Sequence, residues 1–146
     1  MRIEEASVEH LDEWLRLRAA LWPDGSVERH RTEVVQMLAE PKAIAFIARS
    51  RTGEMVGFAE ATLRHEYVNG CNTSPVLFLE GIYVCPEYRR QGVAQSFCHV
   101  ISDWGRAAGC HEFASDALLE NTQSHAFHAA LGFEETRRVV YFRKSL

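Results

Sequence analysis

Apolar positions along the first forty residues fall at helical spacing. Leu11, Trp14, Leu15, Arg18 and Leu21 make one stripe, with Ser7 placed to cap the helix and the arginine at the stripe's edge. Arg2 to Ala6 before it reads as a short strand, and Trp22-Pro23-Asp24-Gly25 ends the helix. A second helix is predicted from Val27 to Glu40, stopped by Pro41. Ala43 to Arg49 and Met55 to Leu63 are strand-like runs joined by the turn Arg51-Thr52-Gly53-Glu54, which predicts a hairpin. Tyr67 to Pro75 is rich in turn formers and reads as a loop before the strand Val76 to Val84. A helix from Val93 to Ala108 follows, ended by Gly109, then a strand from Glu112 to Ser115 and a helix from Asn121 to Leu131, ended by Gly132. Phe133 to Thr136 and Val139 to Lys144 are two further strand-like runs. The order β, α, α, β, β, β, α, β, α, β, β describes a mixed α/β sheet with helices on its faces, in which only the central β-α-β unit must be parallel.

The turn into the third long helix carries candidate chemistry. Arg89-Arg90-Gln91-Gly92-Val93-Ala94 lies between a strand and a helix, where the first-turn N–H groups lack intrahelical acceptors and the helix dipole adds positive character. Gly92 lets the main chain approach a phosphate without a Cβ, Ala94 is nearly as small, and the two arginines add charge. The bare pattern Arg-x-x-Gly-x-Ala is weak, and its position between strand and helix gives it meaning.

Length and charge narrow the alternatives. The 146 residues suit one domain, 1–146, and 47% hydrophobic with 25% charged residues is ordinary for a globular chain. A net charge of -4 argues against a general nucleic-acid binder. No apolar run approaches the roughly 20 residues that span a bilayer, and the N-terminus has no basic segment before an apolar core, so a cytoplasmic location is expected. Cys71, Cys85, Cys98 and Cys110 form no Cys-x-x-Cys pair and are expected to be reduced. His125 and His128 would share a helical face, but without a carboxylate on the same helix the pair predicts no metal site.

Taken together, the element order, the Arg89 to Ala94 loop and the ending Ala129-Ala130-Leu131-Gly132-Phe133-Glu134 resemble the GNAT superfamily of acetyl-coenzyme A dependent N-acetyltransferases, over nearly the whole chain. More narrowly, Leu21-Trp22-Pro23, Arg64 to Gly70, Ser74-Pro75-Val76, Phe78 to Ile82, Ala114-Ser115-Asp116 and Leu131 to Thr136 resemble the type I aminoglycoside 6′-N-acetyltransferases. The resemblance implies a GNAT fold with a mixed, mostly antiparallel sheet. It also implies an enzyme that moves acetyl from acetyl-CoA to the 6′-amine of drugs such as kanamycin or tobramycin, usually as a homodimer.

An aminoglycoside is a hydrophilic polycation, so its site needs carboxylates and sugar-stacking aromatics. Trp22 and Tyr67 are the expected aromatics, and Glu80 and Asp116, at or near the ends of adjacent strands, the expected carboxylates. The resemblance makes Glu80 the general base acting through water, with Asp116 competing, and either can instead simply position the amine. It also assigns backbone groups of Ile82, Tyr83 and Val84 to the pantetheine arm, Arg89, Arg90, Gln91, Gly92, Val93 and Ala94 to the phosphates, and Asn121 to coenzyme A. His128 stands where members usually carry a tyrosine that protonates the leaving thiolate. Glu135, next to Glu134, is implied at a drug site shared across a dimer, and Arg137 replaces a glutamate that related chains can carry. Two other readings fit the same residues: an acetyltransferase for another amine, such as a polyamine, and a catalytically silent coenzyme A binding module.

Overall fold

The computed structural model describes residues 1–146. Strands β1 (Arg2–Glu5), β2 (Ala43–Arg49), β3 (Met55–Arg64), β4 (Val76–Val84) and β5 (Phe113–Ala114) form one sheet in that order. β1 to β4 pair antiparallel and β5 joins β4 parallel, through the crossover that carries the third helix. Helices α1 (Leu11–Leu21), α2 (Val27–Ala39), α3 (Val93–Ala107) and α4 (Thr122–Ala130) complete the chain. Their starts follow local chemistry. Ser26 Oγ accepts the Arg29 N–H at 3.1 Å at the head of α2, and Asn121 Oδ1 accepts the Ser124 N–H at 3.2 Å at the head of α4. Ahead of α1, a 3-10 turn over Val8–His10 intervenes, with the Ser7 N–H bonded to His10 Nδ1 at 2.9 Å.

The sheet is covered on both faces. Ala59, Ala61, Leu77, Leu79 and Val84 pack on Val93, Phe97 and Ile101 of α3. The opposite face sets Ala45, Ile47, Met55 and Phe58 against Trp14, Leu15 and Leu17 of α1 and Val34 of α2. Each fully buried side chain of this kind stabilises the fold by about 1.5–3 kcal/mol. Two irregularities interrupt the pleat, and one of them positions the site. Glu60 pairs with Gly81 and Ala61 with Leu79, so Glu80 is an extra residue in β4, a β-bulge. Downstream of it the inward and outward sides exchange: Leu77 and Leu79 face α3 before the bulge, and Ile82 and Val84 face it afterwards.

Three expectations are corrected. Arg18 is not at the edge of the α1 stripe: only 2% of it is exposed. Glu80 lies at a bulge within β4, not near a strand end. The runs Phe133 to Thr136 and Val139 to Lys144 form no strand in this chain, and Tyr141 and Phe142 are 83% and 93% exposed. A strand-like run makes a strand only where a sheet edge accepts it, and β5 offers its own chain an edge two residues long.

Candidate active site

Glu80 sits on the α1 face of the sheet beside Thr62 and Arg64, which alternate along β3. The bulge brings its carboxylate over both: Thr62 Oγ1 donates to Glu80 Oε1 at 2.6 Å, and Arg64 donates from Nε at 3.2 Å and from Nη2 at 2.9 Å. Arg64 Nη2 also reaches Glu80 Oε2 at 3.0 Å. The guanidinium carbon lies over Phe78, 3.4 Å from its ring centroid. The Glu80 carboxylate is thus already saturated with donors on Oε1, while Oε2 has one.

The residue after the bulge has no side chain. A Cβ on Gly81 would overlap the six-membered ring of Trp22, so glycine is required for the indole to rest on the strand next to Glu80. Trp22 is held from behind by a buried ionic cluster. The Arg18 guanidinium carbon lies 4.8 Å from the Trp22 ring centroid, and the Trp22 carbonyl is bonded to His30 Nε2 at 3.1 Å. That carbonyl can only accept, so Nε2 carries the proton, and the bare Nδ1 faces Arg18 Nη1 at 3.3 Å. Arg18 also donates to Glu60 Oε1 and Oε2 at 2.8 and 3.2 Å and to Glu33 at 3.1 Å, and the Trp14 indole N–H donates to Glu60 at 2.9 Å. Burial pushes the Glu60 carboxyl above its ordinary value, against the charge and hydrogen bonds of Arg18. Gly81→Ala is expected to destabilise the protein by about 1–3 kcal/mol and to shift the tryptophan fluorescence, read in a denaturant titration.

The remaining candidates approach from loops. Asp116 follows β5 by two residues and is exposed. Tyr67, 70% exposed, accepts a hydrogen bond from Arg137 Nη1 at 3.3 Å, and Thr136 packs against the bare Cα of Gly70, so the tail braces the 67–70 turn. Glu112 fixes the far end of the same loop by accepting from the side chain and N–H of Thr73 and from the N–H of Asn72, which hold its carboxyl below the usual range. Glu135 is drawn to Arg138, whose hydrogen bond and charge lower its carboxyl; the two form an exposed ion pair.

On the side away from β3, β4 has already lost its neighbour when the bulge is reached. β5 pairs only at Leu77↔Phe113 and Phe78↔Ala114, so the sheet opens before Ile82, Tyr83 and Val84 are reached. Ser115 Oγ reaches Leu79 O at 3.4 Å at the fork. Arg89 Nε donates to Val84 O at 2.7 Å, which takes that carbonyl, and its guanidinium lies 5.4 Å from the Tyr83 ring centroid. Gln91 Nε2 donates to Glu87 O at 3.2 Å. Arg90 and Gly92 have φ of 62° and 79°, a left-handed path that turns the chain into α3. The α3 ladder begins with Ser96 N–H to Gly92 O at 3.0 Å, so the N–H groups of Val93 and Ala94 have no intrahelical acceptor. A Cβ at Gly92 would meet nothing within 4 Å, so the loop leaves room for a bulky anion.

His128 faces the same fork from α4. Its Nδ1 lies 2.7 Å from Ser124 O, which accepts only, so the proton is on Nδ1 and Nε2 accepts from Ser115 Oγ at 2.8 Å. His125 Nε2 is occupied by Leu118 O at 2.9 Å. Asn121 uses its Oδ1 in capping α4. All four cysteines are free, and burial raises every thiol, that of Cys98 to about 11, so none is primed as a nucleophile.

Sequence reading alone did not single out Arg64, Thr62, Glu60, His30 or Gly81 for a role. The usable signal was the Glu-Gly pair inside the apolar run of β4, since a lone glycine in a strand marks a bulge or a close approach.

Known proteins match this arrangement along the chain. The acetyltransferase (GNAT) family matches residues 9–133. An aminoglycoside N(6′)-acetyltransferase type 1 of Serratia marcescens is 52% identical over 138 residues, 94% of each chain. The crystal structure of the aminoglycoside antibiotic 6′-N-acetyltransferase AAC(6′)-Ih from Acinetobacter baumannii superposes with a TM-score of 0.96 at 46% identity, over 99% of this chain and 98% of that one. AAC(6′)-Iy in complex with the bisubstrate analogue CoA-S-monomethyl-acetylneamine gives a TM-score of 0.93 at 44% identity over the same shares. Matched by the family over residues 9–133 and by these relatives over nearly its whole length, the chain belongs to the GNAT family of acetyltransferases.

Proposed function

We infer that the protein is an aminoglycoside 6′-N-acetyltransferase that transfers the acetyl group of acetyl-CoA to the 6′-amine of kanamycin- and tobramycin-type drugs, and so confers resistance to them. The observation that carries this reading is the bulge. It sets Glu80 beside Trp22, a carboxylate next to a flat aromatic wall, on the strand whose edge away from β3 is open from there on.

In this reading Trp22 and Tyr67 receive sugar faces, and Glu80, Asp116 and Glu135 attract the ammonium groups. The ammonium has no lone pair and loses a proton before attack. Its nitrogen then bonds to the thioester carbonyl carbon, the carbon–sulfur bond breaks, and the electron pair leaves with the thiolate. Because donors already crowd Glu80 Oε1, its main part is to hold the amine, with Asp116 the freer proton acceptor. His128 is the candidate proton source for the thiolate: in its doubly protonated form, Nε2 would give its proton to Ser115 Oγ while the Ser115 hydroxyl proton passes to the thiolate, leaving the neutral Nδ1–H imidazole. The edge of β4 at Ile82, Tyr83 and Val84 that β5 leaves open suits an extended amide-bearing arm, with Val84 O already taken by Arg89. The turn Arg89, Arg90, Gln91, Gly92, Val93 and Ala94 suits the phosphates, and Asn121, at the head of α4, is assigned to coenzyme A. Gly92→Val forces a β-branched residue into a left-handed backbone, at about 1–2 kcal/mol. The KM for acetyl-CoA is expected to rise at least about tenfold while that for tobramycin stays within twofold.

The decisive assay is thiol release from acetyl-CoA with tobramycin, kanamycin and paromomycin, which has a 6′-hydroxyl. Release with the first two and none with the third supports the reading. Release with none of them sinks it.

The protein is also proposed to be a homodimer. Leu118 and Leu119 before α4, Phe127 on it, and Val140, Tyr141 and Phe142 in the tail are all exposed, an apolar load unusual for a monomer surface. Sedimentation is expected to give twice the 16.6 kDa chain mass, and deleting residues 139–146 to reduce it to one. Acetyl-CoA is a cytoplasmic metabolite, which favours that location, and no helix is long and apolar enough to cross a membrane.

A further inference from the structure

Arg64 occupies the place that the proposed function gives to the substrate. Its guanidinium makes three hydrogen bonds to Glu80 and stacks on Phe78, so the carboxylate offered to an ammonium already has a counter-ion. The local charge at Glu80 is therefore close to zero. A second cation, Arg137, donates one hydrogen bond to the Tyr67 hydroxyl at 3.3 Å. Both arginines are exposed: Arg64 keeps 42% of its side chain in solvent, and Glu80 keeps 28%. An ion pair this open is weak, and it exchanges partners readily.

We propose that Arg64 is a resident cation that the substrate ammonium displaces from Glu80, which makes Arg64 a specificity-determining residue that selects polycations over simple amines. The proposal rests on the aminoglycoside reading. A monocation that displaces Arg64 only exchanges one charge for another and leaves a guanidinium beside it. A polycation brings further ammonium groups to Asp116 and other carboxylates at once, so the exchange favours it. Arg64 thereby lowers affinity for all amines and lowers it most for those with a single charge. The Phe78 face, 3.4 Å from the guanidinium, gives the side chain a second seat to slide along once Glu80 is taken.

Two variants test this in steady-state kinetics. Arg64→Met keeps an unbranched stem over Phe78 and removes the charge. It is expected to lower the KM for tobramycin about fivefold, with kcat within twofold and the KM for acetyl-CoA unchanged. For methyl 6-amino-6-deoxyglucoside, a monocation with the same kind of amine, kcat/KM is expected to rise by a larger factor than for tobramycin. Arg64→Lys retains the cation but loses the forked contact and the Phe78 face, and is expected to fall between the wild type and Arg64→Met in its KM for tobramycin. A higher KM for tobramycin, or a tenfold loss of kcat at constant KM in both variants, would mean that Arg64 holds Glu80 in place, and would overturn the proposal. The wild-type protein gives an independent reading. With coenzyme A present, the Nε–H resonance of Arg64 is expected to shift and broaden as tobramycin is added, and a resonance unchanged at saturating drug would overturn displacement. If the wild type acetylates no aminoglycoside, the functional reading itself fails. If it does and Arg64→Met leaves the KM unchanged, only the role of Arg64 fails.

Discussion

Exchanging Arg18 for methionine will cost the fold about 3–5 kcal/mol at pH 7, the size of effect seen when one partner of a buried ion pair is removed. Only 1% of Glu60 is exposed, and without Arg18 its carboxylate would keep one donor, the Trp14 indole. The pH dependence identifies the cause. Burial already places the Glu60 carboxyl above 4.5, and losing the opposing arginine raises it further. An acid whose pKa is higher in the folded state binds a proton that the unfolded chain releases. Its contribution to stability is fully present below the unfolded value and is lost as pH rises through the folded one. Arg18→Met should therefore regain part of its stability between pH 7 and pH 5, as Glu60 takes up a proton, and denaturant titrations at the two pH values measure this. An equal loss at both would show that Glu60 stays charged. Arg18→Met combined with Glu60→Leu should recover most of the loss, because a well-packed apolar pair replaces the buried charges.

Glu80→Ala and Asp116→Ala are each expected to lower kcat for kanamycin about 100-fold, with the KM for acetyl-CoA unchanged. That factor follows from misplacing a reacting amine by about 1 Å. The two changes act differently. Glu80→Ala also releases Arg64 from its partner, placing an uncompensated cation where the amine must sit, so the KM for the drug rises along with the loss in kcat. Asp116 is exposed beyond β5, so its replacement changes charge without disturbing a strand. Steady-state kinetics over both substrates separates these effects. Wild-type turnover in both variants would remove the carboxylates from the site.

Much of the fold was legible because its helices carry plain stripes and its strands are bounded by glycine, proline and polar turns. β2, β4, the β2–β3 hairpin and the parallel β4–β5 pair lie where the pattern of residues placed them. The bulge was hidden because Val76 to Val84 is apolar on both faces: with no alternation to read, a change of phase leaves no trace except Gly81. Arg18 was misread because an arginine in an apolar stripe is intelligible only with its partner, and Glu60 lies 42 residues away on another element. The tail was misread for the opposite reason, since its run of strand-forming residues is real but no edge of this chain's sheet pairs with it. For the site, the carboxylates and aromatics could be named from the resemblance. Their arginine partners could not, because pairing depends on register.

β5 is tied to β4 by two residue pairs, and α4 buries no residue of its own. Asp116 and His128 are carried by this segment, whereas Glu80 and Trp22 stand on the four-stranded sheet and its buried network. The amides of β5 and α4 therefore exchange with solvent through local opening, well before global unfolding, while those of β3 and β4 exchange only with it. One half of the proposed site is thus firmly anchored and the other only loosely, so on this reading ordering the second half is part of the free energy of binding substrate.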